Sequence, residues 1–221
     1  MEKPTVVPLG PKRPGRGGRT RAAHLGPERR RPLILDAALE VYVEQGYKGT
    51  SMQAVANAAG VTKPVVYECF RNKDELLLAL LDREEQRLLA AVSDSFLTNT
   101  VSDNLEAVLA AGLTAFLAGA RQAPNSWRVV FDSGWGSGSV VAERVRRGRE
   151  MAVGQLRELV RQHMVAGGID DIERKAPVVA ELIASVSESC ARMLVVEHHP
   201  WTAAELATYV ARLLARGLNP V

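Results

Sequence analysis

A short segment of the chain carries side chains that suit contact with a nucleic acid: AGVTKPVVYECFRNK, residues 59–73. Lys63 can donate hydrogen bonds to guanine O6 and N7, and Pro64 and Val65 can pack against a thymine methyl group. Hydroxyl and ammonium groups in and near the segment suit phosphate oxygens. We predict that eight side chains contact DNA: Thr50, Ser51, Thr62, Lys63, Pro64, Val65, Tyr67 and Lys73. The alternative is that Tyr67 completes a hydrophobic core and that Lys63 is solvated.

Short helices must hold this segment at the surface. Apolar residues recur at i, i+1, i+4, i+5, i+8 and i+9, which predicts a first helix that starts near Pro32 and ends before Gly46. A second helix follows, with Thr50 or Ser51 as its N-cap. Gln53 is placed to complete a capping box with Thr50.

The next turn leads into a third helix, which contains the segment's central residues. Gly60 ends the second helix, and Thr62 can cap the third with Pro64 in its first turn. Val66 and Phe70, four residues apart, then face inward and hold the third helix against the first two. Two short helices joined by a Gly-containing turn form a helix-turn-helix, whose second helix lies in the major groove. This arrangement directs the opposite side of the third helix towards base edges.

Residues 31–80 resemble the N-terminal DNA-binding domain of the tetracycline-repressor (TetR) family of bacterial regulators. The matching positions, in the family's order, are Gly46, Thr50-Ser51, Val55-Ala56, Ala59-Gly60-Val61-Thr62, Val66-Tyr67, Phe70, Lys73 and Leu76. Two positions depart from the family's pattern, because Pro64 replaces a frequent Gly and Cys69 replaces a frequent His. The first change should alter base preference, and the second removes one possible phosphate donor.

The resemblance implies an all-α protein in two parts, a three-helix DNA-binding domain and a helical domain for ligand binding and dimerisation. We place a disordered basic arm at 1–30, the helix-turn-helix domain at 31–76 and the effector-binding and dimerisation domain at 77–221. The implied function is a ligand-responsive regulator that binds a palindromic operator as a homodimer. Repression with release by a small, largely apolar effector is the main hypothesis. The alternatives are an activator of the same fold and an architectural DNA-binding protein without an effector.

By the same resemblance, the middle helices enclose a pocket for the unknown small-molecule effector. The chain has only eleven aromatic residues, and three of them lie within 127–135, beside a Gly-rich run. Candidate lining residues are Leu113, Phe116, Leu117, Trp127, Phe131, Trp135 and Met151. An ordinary filled core is the alternative for each of them. Arg121 or Glu143 can contact a polar group of the ligand, and the arginines at 144–149 are predicted to form a solvated face.

The last two helices carry the clearest helical patterns. The penultimate helix is predicted from Pro177 to Glu197, with small residues along one stripe where another helix can approach closely. The final helix begins with a capping box formed by Thr202 and Glu205. The resemblance implies a four-helix bundle with the second copy, through Ala180, Ala184, Ser187, Ala191, Leu206, Tyr209, Val210 and Leu213. Packing of these helices within one subunit only is the alternative.

Charge is distributed unevenly along the chain. The net charge is +3, yet residues 1–31 alone carry nine Lys or Arg against two Glu, so the remainder is acidic. Ten of the first 27 residues are Gly or Pro. Such a segment cannot bury enough apolar surface to offset its chain entropy, which predicts disorder. The arm is either a solvated tail or a cationic segment that follows phosphates or enters a minor groove.

Composition argues against several other classes of protein. No apolar run approaches the roughly 18 residues of a membrane-spanning helix, which predicts a cytoplasmic protein without a membrane partner. Cys69 and Cys190 lack metal or redox spacing, so we predict buried free thiols in preference to a thiol sensor. The adjacent His198 and His199 would point apart on a helix, so no metal or cofactor is predicted. The run GWGSG lacks the Lys of a phosphate loop and the Ser of a nucleophile elbow, so no enzyme is predicted.

Overall fold

The structure is a computed structural model that describes residues 26–96, 104–131 and 139–218. Within these ranges the chain forms helices joined by turns, without a β-strand, which confirms the all-α prediction. The helices are α1 (Pro27–Gly49), α2 (Met52–Ala59), α3 (Lys63–Cys69), α4 (Lys73–Phe96), α5 (Leu105–Gln122), α6 (Pro124–Phe131), α7 (Val140–Ala166), α8 (Ile172–Val195) and α9 (Ala203–Leu218). Most of the predicted basic arm, Trp135 and the Gly-rich run around it lie outside the described residues.

Helix α1 begins at Pro27, earlier than the sequence pattern predicts. A proline suits this first position because its missing N–H would have no partner within the helix. The added turn is held by α3, since Arg30 donates to the Glu68 carboxylate at 2.6 Å and Arg31 donates to the carbonyl of Cys69. Residues 27–30 are therefore helical, which corrects their assignment to a disordered arm. Groups 38 residues away in the chain supply this order, and no local pattern reveals them.

Two glycines determine where the first two helices end. Gly46 has a φ of 66° and interrupts the helical geometry of α1, at the predicted end of that helix. The hydroxyl of Thr50 donates to the Gly46 carbonyl at 2.8 Å. Gly60, also with a φ of 66°, ends α2, and the Val61 N–H turns back to the Ala56 carbonyl at 3.0 Å. The left-handed backbone favours glycine at both positions because no Cβ obstructs it.

The N-cap of α2 differs from the predicted capping box. The cap is Ser51, whose hydroxyl oxygen accepts a hydrogen bond from the Ala54 N–H at 3.1 Å. Thr50 is fully buried with its hydroxyl bound to α1, and Gln53 donates to Asn57 at 2.9 Å. The capping box predicted for Thr50 and Gln53 is therefore wrong, because the threonine hydroxyl serves the contact between α1 and α2.

Two hydrophobic clusters form the interior, and α4 contributes to both. The first joins α1, α2 and α3, which we call the helix-turn-helix unit, to the start of α4, and it includes Val129 of α6 and Val141 of α7. The second joins α5, α8 and α9 to Leu88 of α4 and Trp127 of α6. The predicted domain boundary at residue 76 falls inside α4, so a single helix belongs to both parts of the molecule.

A buried carboxylate connects these two parts. Glu84 of α4 has no exposed surface, and it accepts hydrogen bonds from Arg83 at 2.7 Å, from Arg87 at 3.2 Å and from the Ser126 hydroxyl at 2.6 Å. Arg83 also donates to Asp36 of α1 at 2.8 Å. This series of contacts runs from α1 through α4 to α6. Removing one partner of a buried pair typically costs about 3–5 kcal/mol, so the connection is firm.

Helix α8 begins earlier than predicted and contains Pro177 in its interior. The backbone N–H groups of Arg174 and Lys175 donate to the Asp171 carbonyl at 3.1 Å, which forms a full turn before the proline. Because proline has no N–H, Pro177 cannot donate to the carbonyl four residues before it, but the turn that precedes it shows that it is not the first residue of the helix. The helix ends at Val195, before the predicted Glu197.

The start of α9 follows the predicted capping box. The Glu205 N–H donates to the Thr202 hydroxyl at 3.2 Å, and the Thr202 N–H donates to the Glu205 carboxylate at 2.9 Å. Trp201 packs against the second hydrophobic cluster, with its ring 5.2 Å from that of Tyr209. These reciprocal bonds confirm the prediction for this helix end.

Candidate functional site

Helix α3 has one side that is buried in the first hydrophobic cluster. Val66 and Cys69 are buried, and Phe70, which follows the helix, is 1% exposed. The guanidinium of Arg31, from α1, lies over the Phe70 ring at 4.2 Å from its centre. Because these apolar anchors fix the rotation of the helix, its other side must face outward.

The outward side of α3 presents donor groups and apolar surface together. Thr62, Lys63, Pro64 and Tyr67 are exposed, and Val65 is half-buried. The Thr62 hydroxyl makes no capping hydrogen bond. The Lys63 ammonium lies 5.9 Å from the centre of the Tyr67 ring, and neither side chain has a hydrogen bond or ion pair with a described residue. These groups are therefore available to a partner molecule.

The one acidic side chain of α3 is neutralised from the N-terminal turn of α1. Glu68 pairs with Arg30 at 2.6 Å, and the Arg30 side chain is only 14% exposed. An unpaired carboxylate here would repel phosphate groups, whereas the pair is neutral. The thiol of Cys69 donates to the Pro27 carbonyl at 3.7 Å, and burial raises its pKa against the opposing effect of Arg30. Cys69 and Cys190 are buried and free, as predicted.

Two of the eight predicted DNA-contacting side chains bind within the fold instead. Thr50 is fully buried, which corrects its assignment to a DNA-contacting surface. The Lys73 ammonium donates to the Tyr47 carbonyl at 2.7 Å and lies 4.0 Å from the centre of that ring, and burial lowers its pKa. Lys73 thus joins the start of α4 to the end of α1. Ser51 is exposed, with its oxygen at the N-terminus of α2.

A cleft of about 630 Å³ lies between α1, α6 and α8. Its volume falls within the roughly 300–1,000 Å³ that is usual for small-molecule sites. The lining residues are Tyr42, Val43 and Gly46 of α1, Trp127, Arg128 and Phe131 of α6, and Ser185, Glu188, Ser189, Arg192 and Val196 of α8 and its C-cap. The helix-turn-helix unit therefore supplies one wall of the cleft, and the C-terminal part supplies the others.

The predicted effector-binding residues divide between this cleft and other places. Trp127 and Phe131 line the cleft with stacked rings 5.5 Å apart, and Phe116 meets Phe131 edge-on at 5.9 Å. Leu113 and Leu117 are buried in the second hydrophobic cluster, while Trp135 lies outside the described residues. Met151 is 63% exposed on α7, so its assignment to a pocket is corrected. The α1 and α8 walls carry no sequence signal that would have identified them.

The polar groups of the cleft differ in whether they have a hydrogen-bond partner. Glu188 accepts a hydrogen bond from Arg149 at 2.9 Å, and burial raises the Glu188 pKa although Arg149 opposes that shift. Arg128 is half-buried and has no hydrogen bond or ion pair with a described residue. The indole N–H of Trp127 is buried and has no acceptor among the described residues. The cleft thus contains donors without acceptors.

The residues predicted for a dimer interface face mostly into the subunit. Ala180 and Ala191 are fully buried, and Leu206 and Val210 belong to the second hydrophobic cluster. Ala184 and Ser187 are half-buried, which leaves Tyr209 at 52% and Leu213 at 55% exposed among the predicted set. Small residues favour close helix approach within a subunit as well as between subunits. The stripe of small residues on α8 therefore did not show whether the helix it meets belongs to the same subunit or to a second copy. The interface prediction is corrected for the four buried residues.

The arginines at 144–149 of α7 are paired with carboxylates. Arg144 binds Glu85 of α4 at 2.6 Å, and Arg149 binds Glu181 of α8 at 2.6 Å. Glu143, a candidate ligand contact from the sequence, binds Arg146 and Arg147 of its own helix at 2.8 and 2.7 Å. Hydrogen bonds from these two arginines lower the Glu143 pKa to about 2.

Two kinds of site are absent from the part of the chain that the structure describes. No group of His, Cys, Asp or Glu side chains in it could hold a metal ion. None of its helices is both long and apolar enough to cross a membrane.

Comparison with known proteins identifies the class to which this molecule belongs. The family model for bacterial regulatory proteins of the tetR family matches residues 34–80. The HTH-type transcriptional activator FasR of Mycolicibacterium smegmatis is 34% identical over 156 residues, which cover 71% of this chain and 69% of that protein. The chain belongs to the TetR family, and it is a ligand-responsive transcriptional regulator with a helix-turn-helix.

Solved structures share the fold over most of the chain. A TetR-like transcriptional regulator from Rhodococcus sp. RHA1 has a TM-score of 0.66 at 24% identity, covering 86% of this chain and 96% of that one. The transcriptional regulator FadR of Bacillus subtilis, in complex with stearoyl-CoA, has a TM-score of 0.64 at 19% identity, covering 85% and 99%. The two-part helical architecture is therefore that of TetR-like regulators.

Proposed function

We propose that the protein binds an inverted-repeat operator in double-stranded DNA as a homodimer, and that a small, largely apolar effector releases it. It acts in the cytoplasm as a repressor and catalyses no reaction. One observation carries the proposal: the apolar anchors Val66 and Phe70 fix α3 so that Lys63 and Tyr67 stand exposed. Neither has a hydrogen bond or ion pair with a described residue. A second helix of a helix-turn-helix that is held in this way fits the major groove.

The exposed side chains of α3 divide by the part of DNA that they suit. Lys63 suits guanine O6 and N7, while Pro64 and Val65 suit a thymine methyl group. Thr62 and Tyr67, together with Ser51 at the start of α2, offer hydroxyls to phosphates. Base contacts would supply the sequence preference, and phosphate contacts would fix the orientation of α3 in the groove.

Exposed apolar side chains on the last two helices support a dimer. On α9, Tyr209 and Leu213 are 52% and 55% exposed and lie one turn apart. On α8, Val178 and Leu182 are 58% and 51% exposed at the same spacing. Exposed apolar surface of this kind is typical of a protein interface. Two copies joined here would present two α3 helices to half-sites about 34–36 Å apart, or a multiple of that distance.

The effector would act on DNA binding through the helices that both parts share. The contacts of Glu84 with Arg83 and Ser126 connect α1 to α6, which carries Trp127 and Phe131. A movement of α6 would therefore be transmitted to the helix-turn-helix unit. A coupling of about 1–3 kcal/mol corresponds to a 5- to 150-fold change in operator affinity.

Selection of DNA by the purified full-length protein tests the main proposal. We expect enrichment of an inverted repeat and a discrete, symmetric footprint on it. Uniform coating of DNA without a preferred sequence would instead identify an architectural DNA-binding protein. Failure to bind any duplex at low salt would refute both readings.

A pair of matched substitutions tests the dimer. Leu213→Asp on α9 should convert the protein to a monomer in light scattering and weaken operator binding. Leu159→Asp, at a comparably exposed leucine of α7, should leave the dimer intact. Equal behaviour of the two variants would place the interface elsewhere.

Activation is a second candidate, and the relationship to FasR favours it, because that relative is named a transcriptional activator. Both outputs use the same DNA contacts and differ in what the bound dimer does to RNA polymerase. Transcription in vitro from a promoter that carries the selected operator separates them. A rise in transcript on adding the protein would support activation, and a fall would support repression.

A further inference from the structure

We propose that the cleft between α1, α6 and α8 binds an amphiphile with an anionic head, and that this ligand acts on the helix-turn-helix unit by direct contact with α1. The inference rests on the proposed function, because it names the chemical class and the location of the effector. Four properties of the cleft carry it: unused donors, an excess of positive charge, an apolar lining and a wall formed by α1.

Two side chains of α6 present donors that no described residue satisfies. Trp127 is 5% exposed, and its indole N–H has no acceptor. Arg128, the next residue, is half-buried without a hydrogen bond or ion pair among the described residues. A buried donor without an acceptor is costly, and native structures rarely keep one without a reason. A ligand with hydrogen-bond acceptors would satisfy both groups.

The charges around the cleft select an anionic ligand. Arg128 lies on α6 and Arg192 on α8, so cations border the cleft from two sides. Arg192 already pairs with Glu197 at 4.0 Å, whereas Arg128 has no ion pair with a described residue. The carboxylate of the cleft, Glu188, already accepts a hydrogen bond from Arg149 at 2.9 Å. Glu188 therefore has a cationic partner of its own outside the lining, and Arg128 is left to a ligand. A guanidinium matches the geometry of a carboxylate or a phosphate, with which it forms two parallel hydrogen bonds.

The rest of the lining suits an apolar body. Trp127 and Phe131 stack with ring centres 5.5 Å apart, and Val43 and Val196 lie on the α1 and α8 sides. Burial of apolar surface against such a lining stabilises a complex. A ligand with an apolar chain and an anionic head therefore uses both sets of groups.

A ligand in the cleft would contact the first of the DNA-binding helices. Val43 and Gly46 of α1 line it, and Gly46 is the point at which the helical geometry of α1 breaks. The Gly46 carbonyl accepts the hydroxyl of Thr50, the residue before the N-cap of α2. A ligand that shifts this segment also shifts the start of α2, and with it the support of α3. This route is separate from the buried contacts of Glu84 in α4.

Calorimetry on the full-length protein without DNA tests the ligand class. The probes share one chain: dodecanoate, dodecyl phosphate, dodecanol and dodecyltrimethylammonium, each below its micelle concentration. We expect the two anions to bind about 10-fold or more tightly than dodecanol, which is the effect of one charge-assisted hydrogen bond. The cation should bind more weakly than dodecanol. Equal binding of dodecanoate and dodecanol would overturn the proposal, and the two anionic arms distinguish a carboxylate from a phosphate ligand.

Substitutions locate the site. Arg128→Gln should weaken dodecanoate about 10-fold and leave dodecanol unchanged, because only the charge-assisted bond is lost. Trp127→Phe keeps an aromatic ring without the N–H and should weaken dodecanoate by about 3-fold. The matched control Arg157→Gln removes an exposed arginine of α7 and should change nothing. If both cleft variants are folded by circular dichroism and bind dodecanoate as tightly as the wild-type protein, the ligand does not bind in this cleft.

Operator binding by the same samples tests the direct action on α1. Dodecanoate should lower the operator affinity of the wild-type protein at least 5-fold and that of Arg128→Gln much less. Binding in the cleft without any change of operator affinity would overturn the action on α1. A protein that binds its operator but no anionic amphiphile refutes this inference and leaves the proposed function standing. A protein that binds no operator refutes the proposed function, while calorimetry still tests whether the cleft binds an anionic amphiphile.

Discussion

Helices α3 and α7 both carry basic side chains, but they use them differently. α3 has seven residues and is held by buried apolar side chains, with Lys63 exposed and without an ion pair to any described residue. α7 has 27 residues, of which only Val141 is buried, and arginines along it bind carboxylates. The comparison shows that the number of cations on a helix does not identify a DNA-binding surface. Whether those cations are already paired is the better criterion.

The physical reason lies in what each charge gains from a phosphate. A free lysine displaces counterions from the duplex when it binds, which is the main source of affinity for DNA. A guanidinium that already binds a carboxylate must first lose that partner, and its pair has no net charge to attract a phosphate. The ion pairs of α7 instead attach it to α4 and α8, through Glu85 and Glu181. They are partly exposed, so each contributes only modestly to stability.

The largest expected effect concerns the anchors of α3. Phe70→Ala should lower the free energy of unfolding by about 3–5 kcal/mol, because a large buried ring is removed and a cavity remains. Leu159→Ala on the exposed side of α7 should change it by less than about 0.5 kcal/mol. Urea denaturation of both variants measures the difference. A loss below 1 kcal/mol for Phe70→Ala would show that apolar burial does not hold α3.

The next effect concerns the outward side of α3. Lys63→Ala combined with Tyr67→Ala should weaken operator binding by about 2–4 kcal/mol, roughly 30- to 1,000-fold, since a base contact and a phosphate contact are lost. The double variant Arg146→Ala with Arg147→Ala on α7 should stay within about threefold of wild type. Fluorescence anisotropy with a labelled operator measures both. Comparable losses in the two variants would remove the distinction between the helices.

A smaller effect should appear when the arginines of α7 lose their partner. Glu143→Gln leaves Arg147 without its carboxylate partner and leaves Arg146 with Glu150 alone. We expect non-specific DNA binding to strengthen about 2- to 5-fold at low salt, with a steeper salt dependence. Asp170→Asn changes the net charge equally at an exposed position after α7 and serves as the control. Identical salt slopes for the two variants would contradict the role of pairing.

The smallest effect is a dependence of α7 on pH. Hydrogen bonds from arginines lower the pKa of Glu143 and of Glu158 to about 2. Because the folded-state pKa is depressed, the stabilisation is present above the unfolded value of about 4.3 and is lost as pH falls towards 2. Amide hydrogen exchange at pH 5 and pH 3, corrected for the intrinsic rate, should show α7 losing protection while α3 keeps it. Equal loss in the two helices would contradict this.

Most of the helix-turn-helix unit was predictable because its signals are local. Gly60 ends α2 in a left-handed conformation, and Val66 and Phe70 are one helical turn apart, so these residues alone fix the turn and the buried side of α3. The capping box of Thr202 and Glu205 is likewise contained within four residues. Patterns of this length report directly on backbone geometry. They failed at Thr50, where a hydroxyl bound the preceding helix instead of capping the next.

The sequence by itself thus determined the helices, the turn of α2 into α3 and the outward position of Lys63 and Tyr67. Only the tertiary structure decided which helix each face meets. It placed Ala180 and Ala191 inside the subunit, paired Arg30 with Glu68, and brought α1 to the cleft beside Trp127. Periodicity identifies the side of a helix that will be buried, because 3.6 residues per turn is a local property. The partner of that side depends on contacts between residues far apart in the chain, and no local spacing encodes them.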